Sequence, residues 1–186
     1  DAAKNPVVYE ETDHSFYMGV GTSSDDAYIV IGLESTVSNE FRVLSAAEPN
    51  GQFQLLAPRQ RDFKYDADHQ AGRWVIRTDW QAPNYRLMTV ADKDIGDRSK
   101  WQSLLAHDDG IFIESFQLFD QYLAINERSD GLSRIRVLPW KDLSKATYVA
   151  SDEASYVADF ETNPEQNTDW LRYNYSSLTT PNSVYK

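Results

Sequence analysis

A strand–turn–strand pattern recurs along this chain at nearly equal spacing, and no other feature restricts its fold so strongly. Four segments rich in Val, Ile and aromatic residues, Tyr28-Ile29-Val30-Ile31, Trp74-Val75-Ile76-Arg77, Tyr122-Leu123-Ala124-Ile125 and Trp170-Leu171-Arg172-Tyr173, start 46, 48 and 48 residues apart. Each alternates with the period of two that marks a strand. A polar turn precedes each: Ser23–Asp26, Asp66–Gln70, Phe119–Gln121 and Gln166–Asp169. A second turn and another strand follow each: Phe41–Leu44, Tyr85–Met88, Arg134–Val137 and Val184-Tyr185. Further strand candidates lie before each hairpin (Phe16–Val20, Phe63–Asp66, Ile111–Phe116, Tyr156–Phe160) and after three of them (Phe53–Leu56, Trp101–Leu105, Ala146–Val149).

Four antiparallel strands in about 48 residues is the size of a β-propeller blade. A helical solenoid of similar period needs apolar residues at i, i+3 and i+4 over ten or more positions, and the chain has no such run. A sandwich of unrelated strands would not repeat at one spacing. The fold expected is therefore all-β, a β-propeller fragment of about four four-stranded blades. Its units run over 14–57, 62–106, 110–150 and an incomplete 154–186, with 7–13 as the outer strand of a preceding blade. An open arc of this kind leaves blade faces and strand edges bare, so self-association is expected.

Charge and composition narrow the function. With 29 acidic against 18 basic residues, the net charge of −11 repels phosphate backbones and anionic membranes and attracts cationic ligands. Neither nucleic acid nor membrane is an expected partner. No apolar run approaches the roughly 20 residues of a membrane span. The absence of cysteine removes disulfides, thiolate metal sites and a Cys nucleophile, and suits a cytoplasmic location. Asp1–Pro6 has neither a signal pattern nor an initiator Met and reads as an internal starting point.

Catalytic motifs are sparse. None of the eight glycines falls in the Gly-x-Ser-x-Gly elbow of an α/β-hydrolase. His14, His69 and His107 are too widely spaced for a helical metal motif and lie in polar, loop-like surroundings, so no metal or cofactor is expected. Carboxylates are numerous enough for a glycosidase pair, but none sits in a motif for it. The innermost strands of a propeller line its channel, which makes Asp66, Glu114, Asp159 and Glu161 the candidate channel residues. For each, the plainer alternative is a carboxylate paired with Arg or Lys, or simply hydrated.

Several stretches then carry a resemblance. Pro58-Arg59-Gln60-Arg61-Asp62-Phe63-Lys64-Tyr65-Asp66-Ala67-Asp68-His69, Asn126-Glu127-Arg128-Ser129-Asp130-Gly131-Leu132 and Arg172-Tyr173-Asn174-Tyr175-Ser176-Ser177-Leu178-Thr179-Thr180-Pro181 resemble the propeller of the oligopeptidase B branch of the prolyl oligopeptidase family of serine peptidases. The likeness runs through the whole chain with the motifs in order. It implies the later part of a seven-bladed propeller that covers a Ser-Asp-His site in an α/β-hydrolase domain of the same chain. It implies short basic peptides as substrates, cut after Arg or Lys, and a cover that admits peptides while excluding folded proteins. No position here matches a triad residue, so the chain alone is expected to be inactive. The reading from another class is a free-standing propeller-type module that binds peptides or proteins without catalysis.

Overall fold

The computed structural model describes residues 5–149 and 151–186. Asp1–Lys4, within the expected starting segment, and Ala150, at an expected blade boundary, lie outside the described residues. Among the described residues, fifteen strands form three four-stranded antiparallel units and a three-stranded one. The first contains β1 (Tyr17–Thr22), β2 (Tyr28–Glu34), β3 (Asn39–Ser45) and β4 (Gln54–Leu55); the second β5 (Tyr65–Gln70), β6 (Arg73–Thr78), β7 (Arg86–Ala91) and β8 (Gln102–Leu105). The third contains β9 (Ile111–Leu118), β10 (Tyr122–Ser129), β11 (Leu132–Pro139) and β12 (Thr147–Tyr148), and the last β13 (Tyr156–Phe160), β14 (Tyr173–Ser177) and β15 (Ser183–Tyr185). Within each unit, neighbours in sequence are neighbours in the sheet, the order of a propeller blade.

Alternation decides which face of a blade meets which neighbour. In the second blade Trp74, Ile76, Met88 and Val90 point one way, into a core with Val43, Leu56, Phe63, Tyr65 and Trp101. Val75 and Leu87 point the other way, into a core with Ile113, Leu118, Leu123, Ile125 and Leu138. Two dry seams thus clamp the second blade between the first and third. Each fully buried side chain of this size contributes about 1.5–3 kcal/mol.

A recurrent hand-over joins the blades: the start of a third strand touches the first strand of the next unit. Asn39 accepts from the Tyr65 amide at 2.9 Å and donates to its carbonyl. The Ile113 amide donates to the Asn84 carbonyl at 3.0 Å. Ser133 forms a parallel bridge with Val157.

Two local expectations are corrected. Asp66–Gln70 is strand β5 rather than a turn; the turn is Ala71-Gly72, with φ of 51° and 77°, the two-residue hairpin geometry that needs positive φ at both positions. The strand expected to open at Trp170 opens at Tyr173. Before it, Asn163 pairs through its side chain with both the amide and the carbonyl of Arg172, and Pro164, which has no amide to give, follows at once. That side-chain pairing stands in for a ladder and lengthens the fourth repeat. Val7–Glu10, expected as the outer strand of a preceding blade, has no partner ladder among the described residues. Instead the Arg42 guanidinium stacks over Tyr9, 4.7 Å from its ring centre.

Candidate functional site: a polar cleft between the third and fourth blades

The third seam differs from the other two. A cleft of about 510 Å³ lies between the third and fourth blades, lined by Glu114, Arg128, Ser133, Tyr156, Val157, Asp159 and Ser176 among others. Of the four candidate carboxylates, Glu114 and Asp159 are brought together here.

Glu114 owes its position to a β-bulge. The register between β9 and β10 pairs Asn126 with Ser115 and then Glu127 with Ile113, leaving Glu114 as the extra residue. Strict alternation would place Glu114 with Phe116 and Leu118, which pack towards the second blade. The bulge allows Ile113 to take that side and turns Glu114 to the other, the re-aiming that bulges provide. There its carboxylate meets the guanidinium of Arg128. Asp159 reaches the same cleft from β13. Its Oδ1 accepts from Asn126 Nδ2 at 2.8 Å and from the Ser133 hydroxyl at 2.9 Å.

The other two candidates stand apart. Asp66 on β5 is more than half exposed and bonded at 2.6 Å to Arg77 Nη1. It flanks a separate groove of about 310 Å³ beside Tyr17 and Gly19. Glu161, just after β13, accepts from the Thr162 amide at 3.1 Å and from Asn174 Nδ2 at 2.5 Å. The backbone bond from Thr162 and, after it, the side-chain bond from Asn174 hold its carboxyl below the usual range.

The two most distinctive sequence stretches acquire definite jobs. In Asn126–Leu132, Asn126 and Arg128 face the cleft, while Glu127 turns to the second blade. There it is fully buried, 2.7 Å from both Arg136 Nη2 and the Tyr148 hydroxyl. Asp130-Gly131, with φ of 52° and 78°, closes the hairpin. In Tyr173–Pro181, the turn wraps a carboxylate: Glu153 accepts from Thr179 at 2.6 Å, Thr180 at 2.8 Å and Tyr175 at 3.2 Å. Hydrogen bonds from the hydroxyls of Ser177, Thr179 and Thr180 bring the Glu153 carboxyl down to about 2.

His69 was expected in a solvated loop and is instead buried in β5. Its Nδ1 lies 2.7 Å from Asp25 Oδ2 in the first blade, and its Nε2 3.0 Å from Asp92 Oδ1 in the second. The available signal was alternation: Tyr65, Ala67 and His69 share one face of a strand whose other side chains are polar. His107 is engaged as an acceptor, receiving the Asn84 amide on Nε2 at 3.3 Å.

Chemically, the cleft offers carboxylates, hydroxyls and one guanidinium. The Ser133 hydroxyl is directed at a carboxylate, and none of the three imidazoles lines the cleft. Serine nucleophiles of the triad type are activated by an adjacent base, an imidazole in most cases. The arrangement offers hydrogen-bonding and ionic partners to polar or cationic groups.

Comparison with known proteins agrees with the propeller fold. The family described as prolyl oligopeptidase, N-terminal beta-propeller domain, matches residues 1–186. Dipeptidyl aminopeptidase BI of Pseudoxanthomonas mexicana is 47% identical over 186 residues, which is 100% of this chain and 25% of that protein. Protease 2 of Moraxella lacunata is 22% identical over 185 residues, 100% of this chain and 26% of that protein. The closed form of oligopeptidase B from Trypanosoma brucei, with covalently bound antipain, superposes with a TM-score of 0.88 at 22% identity, over 100% of this chain and 27% of that one. Oligopeptidase B from Leishmania major gives 0.87 at 24% identity, over 98% of this chain and 27% of its own. At these identities the structural likeness is one of fold. The chain spans about a quarter of the length of the curated relatives it matches.

Proposed function

The chain belongs to the prolyl oligopeptidase family, as part of its N-terminal β-propeller domain, and from that premise we propose that it is a non-catalytic arc of blades covering the active site of a serine peptidase. The observation that carries this reading is the match of the family's propeller domain to every residue of the chain. The catalytic groups, on this account, belong to an α/β-hydrolase domain elsewhere in the polypeptide. The arc acts as a filter: a closed ring of blades leaves a channel that passes short, unfolded peptides and excludes folded proteins. The net charge of −11 favours cationic peptides by raising their local concentration, with Asp66, Glu114 and Asp159 nearest the entering chain.

Two specificities fit this role. Cleavage after Arg or Lys suits the acidic field and the fold shared with oligopeptidase B. Release of N-terminal dipeptides is favoured by the 47% identity to a protein named dipeptidyl aminopeptidase BI; it too gains from an acidic channel, because such a substrate enters with a free ammonium group. Reporter amides carrying a free dipeptide, set against blocked reporters ending in Arg or Lys, separate the two in the longer peptidase.

The filter is tested by neutralising Asp66→Asn, Glu114→Gln and Asp159→Asn together in that peptidase. We expect kcat/KM for basic peptides to fall and its salt dependence to flatten, with neutral peptides unaffected. An unchanged salt dependence rejects the electrostatic part of the reading. The isolated arc, with Tyr17 and Val20 exposed on the unpaired edge strand β1, self-associates on this account. Light scattering that shows a strict monomer at high concentration contradicts that.

A further inference from the structure

The three seams are built from different chemistry. Opening the first would expose Phe63, Tyr65 and Trp74, and opening the second would expose Leu123, Ile125 and Leu138. Both steps cost heavily, because large apolar surfaces must be returned to water.

The third seam has less apolar surface to lose. On the third blade the bulge and the alternation of β10 and β11 present Glu114, Asn126, Arg128 and Ser133 together with the fully buried Ala124 and Ile135. On the fourth blade, Val157 and Asp159 alternate with Tyr156, Ala158 and Phe160, and Asn174 and Ser176 with Tyr173 and Tyr175. The fourth blade's aromatic row, with Tyr156 stacked on Tyr175 and Tyr173 on Tyr185, therefore lies on the face opposite Asp159. Between the two blades stand one backbone bridge, Ser133 with Val157, the bonds of Asn126 and Ser133 to Asp159, that of Asn163 to Gln117 at 2.9 Å, that of the Asp120 amide to the Gln166 carbonyl at 3.0 Å, and the cleft. Val157 is 46% exposed even with the seam closed. The polar groups exchange their partners for water when the blades part, so the loss falls mainly on Ala124 and Ile135 and is smaller than at either of the other seams.

We propose that this third seam is where the arc opens, and that the cleft between Glu114 and Asp159 is a lateral entrance for peptide. The opening stands on seam chemistry alone; the entrance rests also on the filter reading above. Local opening of a seam, rather than global unfolding, then sets the exchange of the strands behind it.

Amide hydrogen exchange on the full chain tests the opening. The first and fourth blades each have a neighbour on one side among the described residues, so a comparison of the two isolates seam chemistry from end effects. Amides of β14, which is paired on both sides, should exchange together and about tenfold or more faster than those of β2 and β3. Replacing the polar pair by Asn126→Leu with Asp159→Leu should slow β14 by about tenfold while leaving β6 unchanged. The chain has no cysteine of its own, so Ser133→Cys with Val157→Cys places a lone thiol pair across the bridge. Oxidation should slow β14, and reduction should restore the original rate. This second variant carries the test if the leucine pair perturbs folding.

Equal protection of β14 and β2, or a disulfide that leaves β14 exchange unchanged, overturns the opening. In the longer peptidase, the same disulfide should lower kcat/KM for peptides several-fold and spare a single-residue amide reporter. A disulfide that slows exchange but leaves peptide turnover unchanged overturns the entrance alone, without touching the filter.

Discussion

The imidazole Nδ1 of His69, in the second blade, lies 2.7 Å from the carboxylate of Asp25, in the first. The other ring nitrogen faces Asp92 at 3.0 Å, and the ring edge meets Tyr28, with centroids 4.7 Å apart. One buried side chain therefore ties the turn before β2 to the turn after β7. Burial and, after it, the charge of Asp92 push the Tyr28 hydroxyl up to about 12, so that phenol stays protonated at neutral pH.

From this clamp, His69→Leu should cost about 3 kcal/mol, since it leaves two partly buried carboxylates without their shared partner. Packing loss is separated from pairing by a double-mutant cycle with Asp25→Ala, read by urea denaturation. A coupling energy of about 1–3 kcal/mol is expected; additive effects would mean that the imidazole contributes only by filling space.

The seams should differ in their sensitivity to truncation. Trp74→Ala, in the first dry seam, should cost about 3–5 kcal/mol. Val157→Ala, in the polar seam and nearly half exposed, should cost under about 1 kcal/mol. Thermal melts of the two variants against the parent chain check this contrast, and comparable losses would contradict the division into dry and polar seams.

Glu153 makes the Tyr173–Pro181 turn sensitive to acid. Its folded carboxyl, held by Ser177, Thr179 and Thr180, sits at about 2 against an ordinary 4.5. Because the folded value is depressed, its contribution is complete above about 4.5 and is lost as pH falls towards 2. Acid titration followed by the amide signals of Thr179 and Thr180 should show the turn loosening in that window. Glu153→Gln should remove the transition and leave the turn looser at neutral pH.

Much of this architecture is legible in the sequence, and the exceptions have physical causes. Strands β2, β6 and β10 announce themselves because Val, Ile and aromatic residues alternate between two polar turns. Strand β5 does not, because Asp66, Asp68 and Gln70 give it the composition of a loop while only Tyr65, Ala67 and His69 carry its inward face. The fourth repeat drifts because Asn163 imitates a strand partner for Arg172, an interaction that no periodicity encodes.

The cleft was half legible. Glu114 and Asp159 could be nominated as innermost-strand carboxylates, but their convergence depends on a bulge that becomes visible only when Ile113 and Phe116 are both found packed against the second blade. Asp66, on a first strand, and Glu161, just past one, were nominated on the same grounds, yet each meets a different local partner, Arg77 and Asn174. A side chain's strand is readable from pattern; its neighbour across a seam is not.

The central claim is that this arc covers and filters an active site without carrying out the chemistry itself. It is tested most directly by assaying residues 1–186 alone beside the longer peptidase on the same set of short basic and dipeptide-releasing substrates. The account predicts turnover by the longer protein and none by the isolated arc, whatever the peptide's charge. Hydrolysis by the isolated arc that disappears with Ser133→Ala or Asp159→Asn would place chemistry in the cleft and contradict it.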